Sequence, residues 1–528
     1  MAFSHGVLLF FLVSMANMAS SSVLTDYLKK RELFVEKDRN GRIGSDVILN
    51  AKEELANEIL DKHIRDELKT MVEKVHGISE VNFLTAKKQI DQSEVFKIIR
   101  KMPKGAVHHI HDLAIASYEW LIGKWTYKDT CYTCFDYEVN ARVFKFSATP
   151  PVPTATCNWV SVNKARKESG DAKAFDKSLL KNITFSVDDI PNLKTQLDIW
   201  KKFQNVFTSV AGLINFDEIF KDYYLESLKE IVADNIQYAE IREVFGSLYD
   251  LNGTTHNNVE HSLKTVIEIE KYFKDNFAPD YFGSKHIYSV IRFLPEQGIK
   301  ETVETAIKLY EKYPDNLAGY DLVGQEDTGF SLLHYIDELL LAKKRNRDLP
   351  FFFHAGETNW NGQYIDQNLI DALLLGTTRI GHGYALSKHP FLKKYAKSRG
   401  VAIEVCPISN QILGLVKDLR NHPVSTLLAE DQPITISSDD PAIWGATALS
   451  HDLYEVIMGM VPAGDSIKVL KKLALNSIAY SSLTDVKKEE LMQLWSGKWE
   501  EFIDDMVKGY DQKDMGETPE SPAKKLKL

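Results

Sequence analysis

Between about residue 190 and residue 440, short runs of apolar residues alternate with longer segments in which apolar positions recur every three or four residues. The short runs predict buried strands, and the longer segments predict helices with one apolar face. The predicted strands cover residues 236–242, 286–293, 317–323, 349–354, 378–381, 401–406 and 434–438. The predicted helices between them include residues 303–313, 331–342, 366–375 and 391–398.

A further predicted strand at residues 106–109 brings the number of strands to eight. Eight strands that alternate with helices favour a (β/α)8 barrel of the TIM type. An open doubly wound sheet would be expected to carry a Gly-rich phosphate loop after its first strand, and none follows it here. We therefore predict an α/β barrel built from residues 99–124 and 190–510.

Two segments lie outside this repeat. Residues 21–98 have a helical pattern, with one helix predicted from Ser45 to about residue 75 and another at 91–101. This region carries no catalytic cluster, and it could be either a packing appendage or a dimerisation element. Residues 125–189 contain aromatic residues, three cysteines, three prolines and a Lys-rich stretch, which predicts a small disulfide-tied insert. The insert could be an ordinary solvated module or a surface that binds a partner.

The net charge of −10 and the pI near 5.9 argue against nucleic acid as the main partner, because no long basic stripe precedes the final lysines. The composition, 44% hydrophobic and 26% charged, is that of a globular protein. A neutral small molecule is therefore the better candidate ligand. The polar segment 511–528 predicts a disordered tail.

The first 20 residues resemble a secretory signal peptide. An apolar run from Val7 to Val13 is too short to span a bilayer, and the small residues that follow suit cleavage near Ala19 or Ser20. No other stretch is apolar enough for a membrane span. We expect a secreted, extracellular protein, in which the sequons at Asn182 and Asn252 are candidate glycosylation sites.

Four cysteines are present, Cys131, Cys134, Cys157 and Cys406. The pair Cys131 and Cys134 has no second CxxC or CxxH partner at zinc-finger spacing, so a structural zinc site is not expected. In a secreted chain, a disulfide between this pair and Cys157 is the better interpretation. Cys406 lies in a separate apolar strand and is expected to be a buried thiol.

Metal-ligating residue types occur where the predicted strands end, which in a parallel barrel is the face that carries active sites. His109 and His111 are two residues apart on the first strand, so their side chains share a face, whereas His108 has the opposite parity. His354 ends the fifth strand, and Asp439 follows the eighth. Three imidazoles and a carboxylate form a suitable site for Zn²⁺ with an open position for water.

Three further residues could act beside that metal. Glu357, three residues after His354, is close enough to carry a proton, and His382 could contact the water or an oxyanion. Asp440 could accept a hydrogen bond from a substrate. Each residue alone also has a structural interpretation: a lone buried histidine is usually a satisfied core residue, and Glu357 could be a charge at a helix start. The combined set is harder to explain by packing.

Five motifs in this order resemble the adenosine deaminases, and most closely their secreted growth-factor branch. They are Met102-Pro-Lys-Gly with His109-Ile-His-Asp112, Phe353-His-Ala-Gly-Glu357, Arg379-Ile-Gly-His-Gly383, Glu404-Val-Cys-Pro-Ile-Ser-Asn410 and Ser437-Ser-Asp-Asp-Pro441. The resemblance covers roughly residues 25 to 510. It implies zinc-dependent hydrolytic deamination of adenosine to inosine and ammonia. It implies the same reaction for 2′-deoxyadenosine.

The resemblance also implies a role for each matching residue. Zinc would be held by His109, His111, His354 and Asp439. Glu357 would protonate purine N1, while His382 and Asp439 would position the hydroxide that attacks C6.

On the substrate side, Asp440 would accept from protonated purine N7 and the backbone of Gly324 would meet N3. Asp112 would contact the ribose, and Trp200 would cover the nucleoside. In such proteins the N-terminal helices form a homodimer, the insert is a receptor-binding module, and the disulfide corresponds to Cys134–Cys157, which leaves Cys131 unpaired.

Two alternatives remain open. One is a secreted growth factor or adenosine-binding protein without catalysis, but such a chain would be expected to lack a ligand, Glu357 or His382, and all are present. The other is a related metal hydrolase for another base or a nucleotide. The H-x-E and Pro-Cys-x-x-Cys signature of base-editing deaminases is absent. Growth-factor activity and binding to a cell-surface receptor or glycosaminoglycan are further expectations from the resemblance.

Overall fold

The computed structural model describes residues 23–73, 77–256, 258–344 and 349–509. The predicted signal peptide at 1–20 and the predicted tail at 511–528 lie outside these residues. The α-helices are α1 (23–39), α2 (Ala51–Glu73), α3 (Phe83–Ile90), α4 (Glu94–Lys101), α5 (Tyr118–Trp125), α6 (Val162–Glu168), α7 (Ala172–Ile183), α8 (Gln196–Ile214), α9 (Asp217–Ala233), α10 (Val259–Asn276), α11 (Glu296–Lys312), α12 (Ile336–Leu339), α13 (Leu341–Lys344), α14 (Asn368–Leu374), α15 (Pro390–Ser398), α16 (Pro407–Ile412), α17 (Val424–Ala429), α18 (Pro441–Trp444), α19 (Ser450–Glu455), α20 (Ser466–Ala479) and α21 (Asp485–Lys508).

The β-strands are mostly short and belong to two parallel sheets and two small antiparallel ones. They are β1 (Ala106–His111), β2 (Cys131–Asp136), β3 (Ala141–Phe146), β4 (Val160–Ser161), β5 (Tyr238–Glu243), β6 (Leu248–Tyr249), β7 (Thr255–His256), β8 (Gly283–Ile291), β9 (Leu317–Val323), β10 (His354–Ala355), β11 (Arg379–His382), β12 (Ala402–Val405) and β13 (Ile434–Ile436).

Eight parallel strands close into the predicted barrel. One sheet has the order β1-β5-β8-β9 and the other the order β10-β11-β12-β13. A parallel bridge between Tyr320 and Phe351 joins the two sheets on one side, and a bridge between Ile110 and Asp439 joins them on the other. The (β/α)8 prediction is confirmed, and all eight predicted strands overlap observed ones. The closing bridge also brings Asp439 next to β1, which is where the candidate ligands lie.

Strand β1 is irregular where its histidines lie. Val107 pairs with Ala239 and Ile110 with Ile241, so His108 and His109 together lie opposite the single residue Glu240. Such a bulge interrupts the strict alternation of side chains and re-aims them locally. His108 is fully buried, and burial, followed by the charge of Arg379, lowers its pKa to about 3.

The N-terminal helices pack on the last helices of the barrel. Glu53 on α2 accepts hydrogen bonds from Lys471 on α20 and Trp499 on α21. Helix α2 begins at Ala51 rather than near Ser45, because the Asn50 side chain accepts the amides of Lys52 and Glu53 and supplies the cap. Helix α2 therefore packs on the barrel, and the dimerisation role of the N-terminal region stays a prediction.

The insert is a separate antiparallel sheet of order β3-β2-β4 with helices α6 and α7. A disulfide joins Cys134 to Cys157, and Cys131 is unpaired and buried. The Cys131 thiol is therefore not exposed to solvent, although the cysteine is unpaired. The sheet lies so close to α8 that a Cβ at Gly212 would meet the carbonyl oxygen of Phe144 at 2.0 Å, which makes glycine necessary there. Among the described helices, none is long and apolar enough to cross a membrane.

Candidate active site

The predicted chemistry-bearing side chains converge at the carboxyl ends of the barrel strands. His109 and His111 come from β1, His354 from β10 and His382 from the end of β11, while Asp439 follows β13. His109, His354, His382 and Asp439 place ligand-type atoms within 4.8 Å of one another, and His111 forms a second such group with Asp439 and Asp440. Asp439 belongs to both groups. The sequence-predicted residues thus share one buried cluster centred on this carboxylate.

The distances between side-chain atoms in the cluster suit a single cation bound by several residues. Oδ1 of Asp439 lies 3.2 Å from Nε2 of His109 and 3.0 Å from Nε2 of His111. The rings of His109 and His354 have centroids 4.4 Å apart. Nε2 of His109 and Oδ1 of Asp439 are nevertheless buried without a hydrogen-bond partner. Two orphaned acceptor atoms that face each other at this distance fit a cation held between them.

Buried carboxylates fix the tautomers of two of these histidines. Nδ1 of His109 donates to Glu404 at 2.9 Å, and Nδ1 of His354 donates to Asp321 at 2.6 Å. The Nε2 atom of each ring is therefore left as a lone-pair ligand. Arg242 donates to both carboxylates, at 2.8 Å to Asp321 and 2.7 Å to Glu404.

The protonation states suit metal binding as well. Burial lowers the pKa of His354 to about 3 and that of His111 below its ordinary value, so both rings are neutral near pH 7. Burial acts to raise the pKa of Glu404, but the charges of Arg242 and Arg379 outweigh it and hold that pKa well below its usual range. Neutral imidazoles and ionised carboxylates are the forms that bind divalent cations.

Two residues of the cluster have strained backbones. His382 has φ of 58° and Asp439 has φ of 61°, in the left-handed region that non-glycine residues rarely adopt. Such conformations persist where the surrounding structure enforces them, and they are concentrated at functional sites. Oδ2 of Asp439 also accepts a 2.6 Å hydrogen bond from Ser409 on α16, which helps to hold this carboxylate in place.

Glu357 lies beside the cluster as a buried carboxyl group with a raised pKa. The residue is 4% exposed, and its Oε1 lies 3.7 Å from Nδ1 of His382. Burial, followed by the charges of Asp439 and Glu326, raises the pKa of Glu357 well above its ordinary value. A carboxylic acid that stays protonated at neutral pH can donate a proton to a bound base. The sequence alone left open a charge at the start of a helix, but the next described helical turn begins only at Tyr364.

Glu326 fixes the loop that carries this acid. It accepts the backbone amide of Glu357 at 2.8 Å and that of Gly356 at 3.2 Å. Asn368 on α14 donates to the same carboxylate at 2.9 Å. Glu326 therefore both orients Glu357 and adds a negative charge that favours its protonated form.

Asp440 is completely buried next to Asp439. Burial and then the charge of Asp439 raise the pKa of Asp440 well above its ordinary value. The protonated form of Asp440 is therefore the favoured one. A protonated carboxyl group can donate a hydrogen bond as well as accept one, which adds a donor role to the acceptor role expected from the sequence.

The remaining sequence-predicted residues are Asp112, Gly324 and Trp200. Asp112 accepts the amides of Leu113 and Val244, and burial followed by the charge of Glu243 raises its pKa. Gly324, which follows β9, has φ of 99°, a conformation that glycine adopts without strain. Helix α8, which carries Trp200, packs against the turn that begins at Asp112. Trp200 is buried, and its indole N–H has no hydrogen-bond partner.

Sequence reasoning assigned no role to the residues that support the site, namely Arg242, Asp321, Glu326, Arg379, Glu404, Ser409, Asn410 and His422. Arg379 illustrates the available signal, since it lies in a predicted buried strand where a charged residue needs a partner. It donates to Glu404 and to Glu240 at 2.6 Å each. The sequence could therefore have indicated that charged residues lie inside the barrel. Which of these residues pair with one another is visible only in the fold.

Two family models match this chain. The model described as "Adenosine deaminase" matches residues 172–496, and the model "Adenosine/AMP deaminase N-terminal" matches residues 6–99. The first of these covers the barrel strands from β5 to β13, and the second covers most of the N-terminal helical region.

Relatives with assigned names are similar over nearly the whole chain. "Adenosine deaminase 2" of Homo sapiens is 42% identical over 473 residues, which is 89% of this chain and 92% of that protein. "Adenosine deaminase" of Phlebotomus duboscqi is 40% identical over 501 residues, covering 94% of this chain and 95% of that protein.

Solved structures share the fold at low identity. The N6-mAMP deaminase of arabidopsis superposes with a TM-score of 0.54 at 15% identity, covering 76% of this chain and 99% of that one. The adenine deaminase of Arthrobacter aurescens gives a TM-score of 0.51 at 18% identity, covering 75% of this chain and 98% of that one. At such identities these likenesses support the barrel and not the substrate.

Proposed function

Because this chain belongs to the adenosine deaminase family, we propose that it is a secreted zinc-dependent enzyme that hydrolyses adenosine and 2′-deoxyadenosine. Water adds at purine C6 and the exocyclic amine leaves as ammonia, so adenosine yields inosine. The observation that carries the proposal is the buried cluster of histidines and Asp439, with Glu357, whose pKa is raised, beside it.

The metal would be held by His109, His111, His354 and Asp439. Zn²⁺ suits three imidazoles and one carboxylate, and when bound it lowers the pKa of a coordinated water to about 7. Glu404 and Asp321 would orient His109 and His354 towards it through the hydrogen bonds at Nδ1.

The protein groups around the purine would activate the ring. Glu357 would give its proton to N1, which makes C6 electrophilic. A protonated Asp440 would donate to N7, and the backbone of Gly324 would contact N3. His382 and Asp439 would orient the attacking oxygen at C6.

The ribose would lie towards Asp112, and Trp200 would cover the nucleoside. Asp112 and Glu243 both have pKa values raised by burial, that of Glu243 to about 8, so this pair can offer both a donor and an acceptor to sugar hydroxyls. The indole N–H of Trp200, which has no hydrogen-bond partner, would be a further donor to the nucleoside.

Removal and return of the metal tests this function. We expect purified protein to change the ultraviolet absorbance of adenosine, to lose that turnover after chelation and dialysis, and to regain it with Zn²⁺ but not Mg²⁺, because the imidazole ligands favour zinc. If the zinc-loaded protein bound adenosine without converting it, the alternative of a non-catalytic adenosine-binding protein would be favoured instead.

The extracellular location rests on the N-terminal pattern and on the insert. A disulfide such as Cys134–Cys157 persists in oxidising compartments. Asn252 is exposed in a tight turn in which Asp250 accepts its amide, so a glycan could be attached there, and Asn182 is the second candidate. Receptor or glycosaminoglycan binding by the insert and growth-factor activity stay predictions.

The homodimer would form through the first helix. On α1, Tyr27 is 63% exposed and Phe34 is 72% exposed. Val23, Leu24 and Leu33 are also exposed on the same helix. Large apolar side chains at this density are typical of a surface that a partner covers.

One measurement tests both the proposed secretion and the proposed homodimer. Native mass spectrometry of protein collected from the culture medium is expected to give the mass of two chains, each without about the first 20 residues. Each chain should also carry the mass of glycans at Asn182 and Asn252. Asn182→Gln and Asn252→Gln should each remove the glycan mass attached at the replaced position. Phe34→Glu should give the mass of one chain, because a charge at the centre of the apolar face opposes association. A monomeric wild type, or an uncleaved chain, would contradict the corresponding proposal.

A further inference from the structure

A chain of hydrogen bonds begins at a backbone amide, passes through His422 and Asn410, and ends at His382. We call it the His422–Asn410 chain. The amide of Val424 donates to Nδ1 of His422 at 3.1 Å. Nε2 of His422 lies 3.0 Å from Oδ1 of Asn410, and Nδ2 of Asn410 lies 3.2 Å from Nδ1 of His382. Among these side chains Asn410 is fully buried and the other two are at most 3% exposed, so solvent does not compete for the bonds.

The first bond of the chain determines the direction of all the others. A backbone N–H can only donate, so Nδ1 of His422 must be the acceptor. A neutral imidazole has one protonated nitrogen, and therefore Nε2 of His422 carries the proton and donates to Asn410. The carboxamide of Asn410 accepts at its oxygen on that side, so its NH₂ group donates on the other side, to Nδ1 of His382.

The neutrality of His422 follows from its surroundings. Burial lowers the pKa of His422 to about 3. Its ring also packs edge-on against Tyr384, with centroids 5.3 Å apart. A doubly protonated His422 would place an N–H against the N–H of Val424, which the observed bond does not allow.

We propose that Asn410 and His422 are positioning residues that hold His382 as the tautomer with its proton on Nε2. In that tautomer, Nε2–H points to the side of the ring on which Oδ2 of Asp439 lies, 3.9 Å away. His382 then acts as a hydrogen-bond donor at the reaction centre and has no lone pair there with which to take a proton. The inference deepens the proposed function and rests on it for the reaction served, but the proton position is a property of the protein alone.

The groups that face His382 agree with this tautomer. Nδ1 also has Oε1 of Glu357 at 3.7 Å, too far for a hydrogen bond, so Asn410 is the partner of Nδ1. The rings of His109 and His354 lie 4.7 and 5.1 Å away by centroid, and each has its own carboxylate partner. The strained backbone of His382 adds to the constraint on the ring.

Neutron diffraction from crystals of the zinc-loaded protein in deuterated solvent tests the proton position directly. We expect a deuterium on Nε2 of His382 and none on Nδ1, and a deuterium on Nε2 of His422. A deuterium on Nδ1 of wild-type His382 would overturn the proposal. This result does not depend on turnover, so an inactive wild type would count against the proposed function and leave the proton map valid.

Asn410→Asp is the sharpest variant, because it keeps the shape and replaces the NH₂ donor by an acceptor. It should force a deuterium onto Nδ1 of His382. We expect kcat to fall by about 10² to 10³, the cost of losing one donor to a developing oxyanion, with KM little changed. An Asn410→Asp enzyme with wild-type kcat and an unprotonated Nδ1 would refute the role.

A second pair of variants covers the case in which Asn410→Asp does not fold. His422→Leu removes the donor to Asn410 and should lower kcat, whereas His422→Gln retains an N–H donor at the position of Nε2 and should restore most of the loss. Tyr384→Phe is the matched control, since it deletes the buried hydrogen bond to the carbonyl of Leu415 but keeps the ring that packs on His422 and all hydrogen bonds of the chain. Equal kcat in His422→Leu and His422→Gln would mean that His422 only fills space.

Discussion

Replacing Glu357 by Gln is expected to lower kcat for adenosine by about 10² to 10⁴, the usual contribution of a general acid. The substitution keeps the volume and the hydrogen-bond acceptor of the side chain but removes the acidic proton. KM should change less than kcat, because protonation of N1 matters most in the transition state. The zinc content should stay at the wild-type level, since Glu357 is not among the proposed ligands.

The pH profile provides a second measurement on the same variant. Burial and the nearby carboxylates raise the pKa of Glu357, so the wild-type acid keeps its proton to a higher pH than an ordinary glutamate and loses it as the pH rises further. Wild-type turnover should therefore fall on the alkaline side, and the Glu357→Gln variant should lack that limb. Glu301→Gln, the same change on an exposed face of α11, is the control. Unchanged turnover in Glu357→Gln would remove Glu357 from the mechanism.

Replacing Arg242 by Met is expected to lower the free energy of unfolding by about 3–5 kcal/mol, the typical cost of removing one partner from a buried ion pair. Arg242 is fully buried and donates to Asp321, to Glu404 and to the carbonyl oxygens of His108 and Phe352. Without it, two buried carboxylates lose their shared cation. Because these carboxylates orient His354 and His109, zinc affinity should also fall, by about 10- to 100-fold.

Denaturant unfolding and zinc titration of Arg242→Met measure the two effects separately. Arg420→Met is the control, because its ion pair with Asp418 is exposed and should contribute less than about 1 kcal/mol. The pH dependence has a definite sign. Burial acts to raise the pKa values of Asp321 and Glu404, but the positive charges around them outweigh it and lower both in the folded state. The stability they contribute is therefore present at neutral pH and lost as the pH falls through the folded pKa values.

Arg242→Met should raise those two folded pKa values and so begin acid unfolding at a higher pH than the wild type. Equal unfolding free energies for Arg242→Met and the wild type would show that the network is not needed for stability. A loss of stability without any loss of zinc affinity would separate its structural role from the orientation of the histidines.

The sequence by itself determined the barrel, because the alternation of apolar runs and amphipathic segments is a local property of the chain. It also determined which residue types stand at the strand ends, since His354 follows an unbroken run of three phenylalanines and Asp439 follows a short apolar strand. Secondary-structure bounds differed by a few residues where a capping side chain decided them, as Asn50 does for α2.

Only the tertiary structure decided how the site is supported. Arg242 joins carboxylates that lie 79 and 162 residues away along the chain, and no local pattern encodes such pairs. The bulge at His108 and His109 likewise depends on pairing with β5, and the state of Glu357 depends on burial by distant elements. Residue identity supplied the candidate ligands and the acid. Their charge, tautomer and orientation come from neighbours that are close in space and distant in sequence, because electrostatic and hydrogen-bond interactions act over ångströms and not over residue numbers.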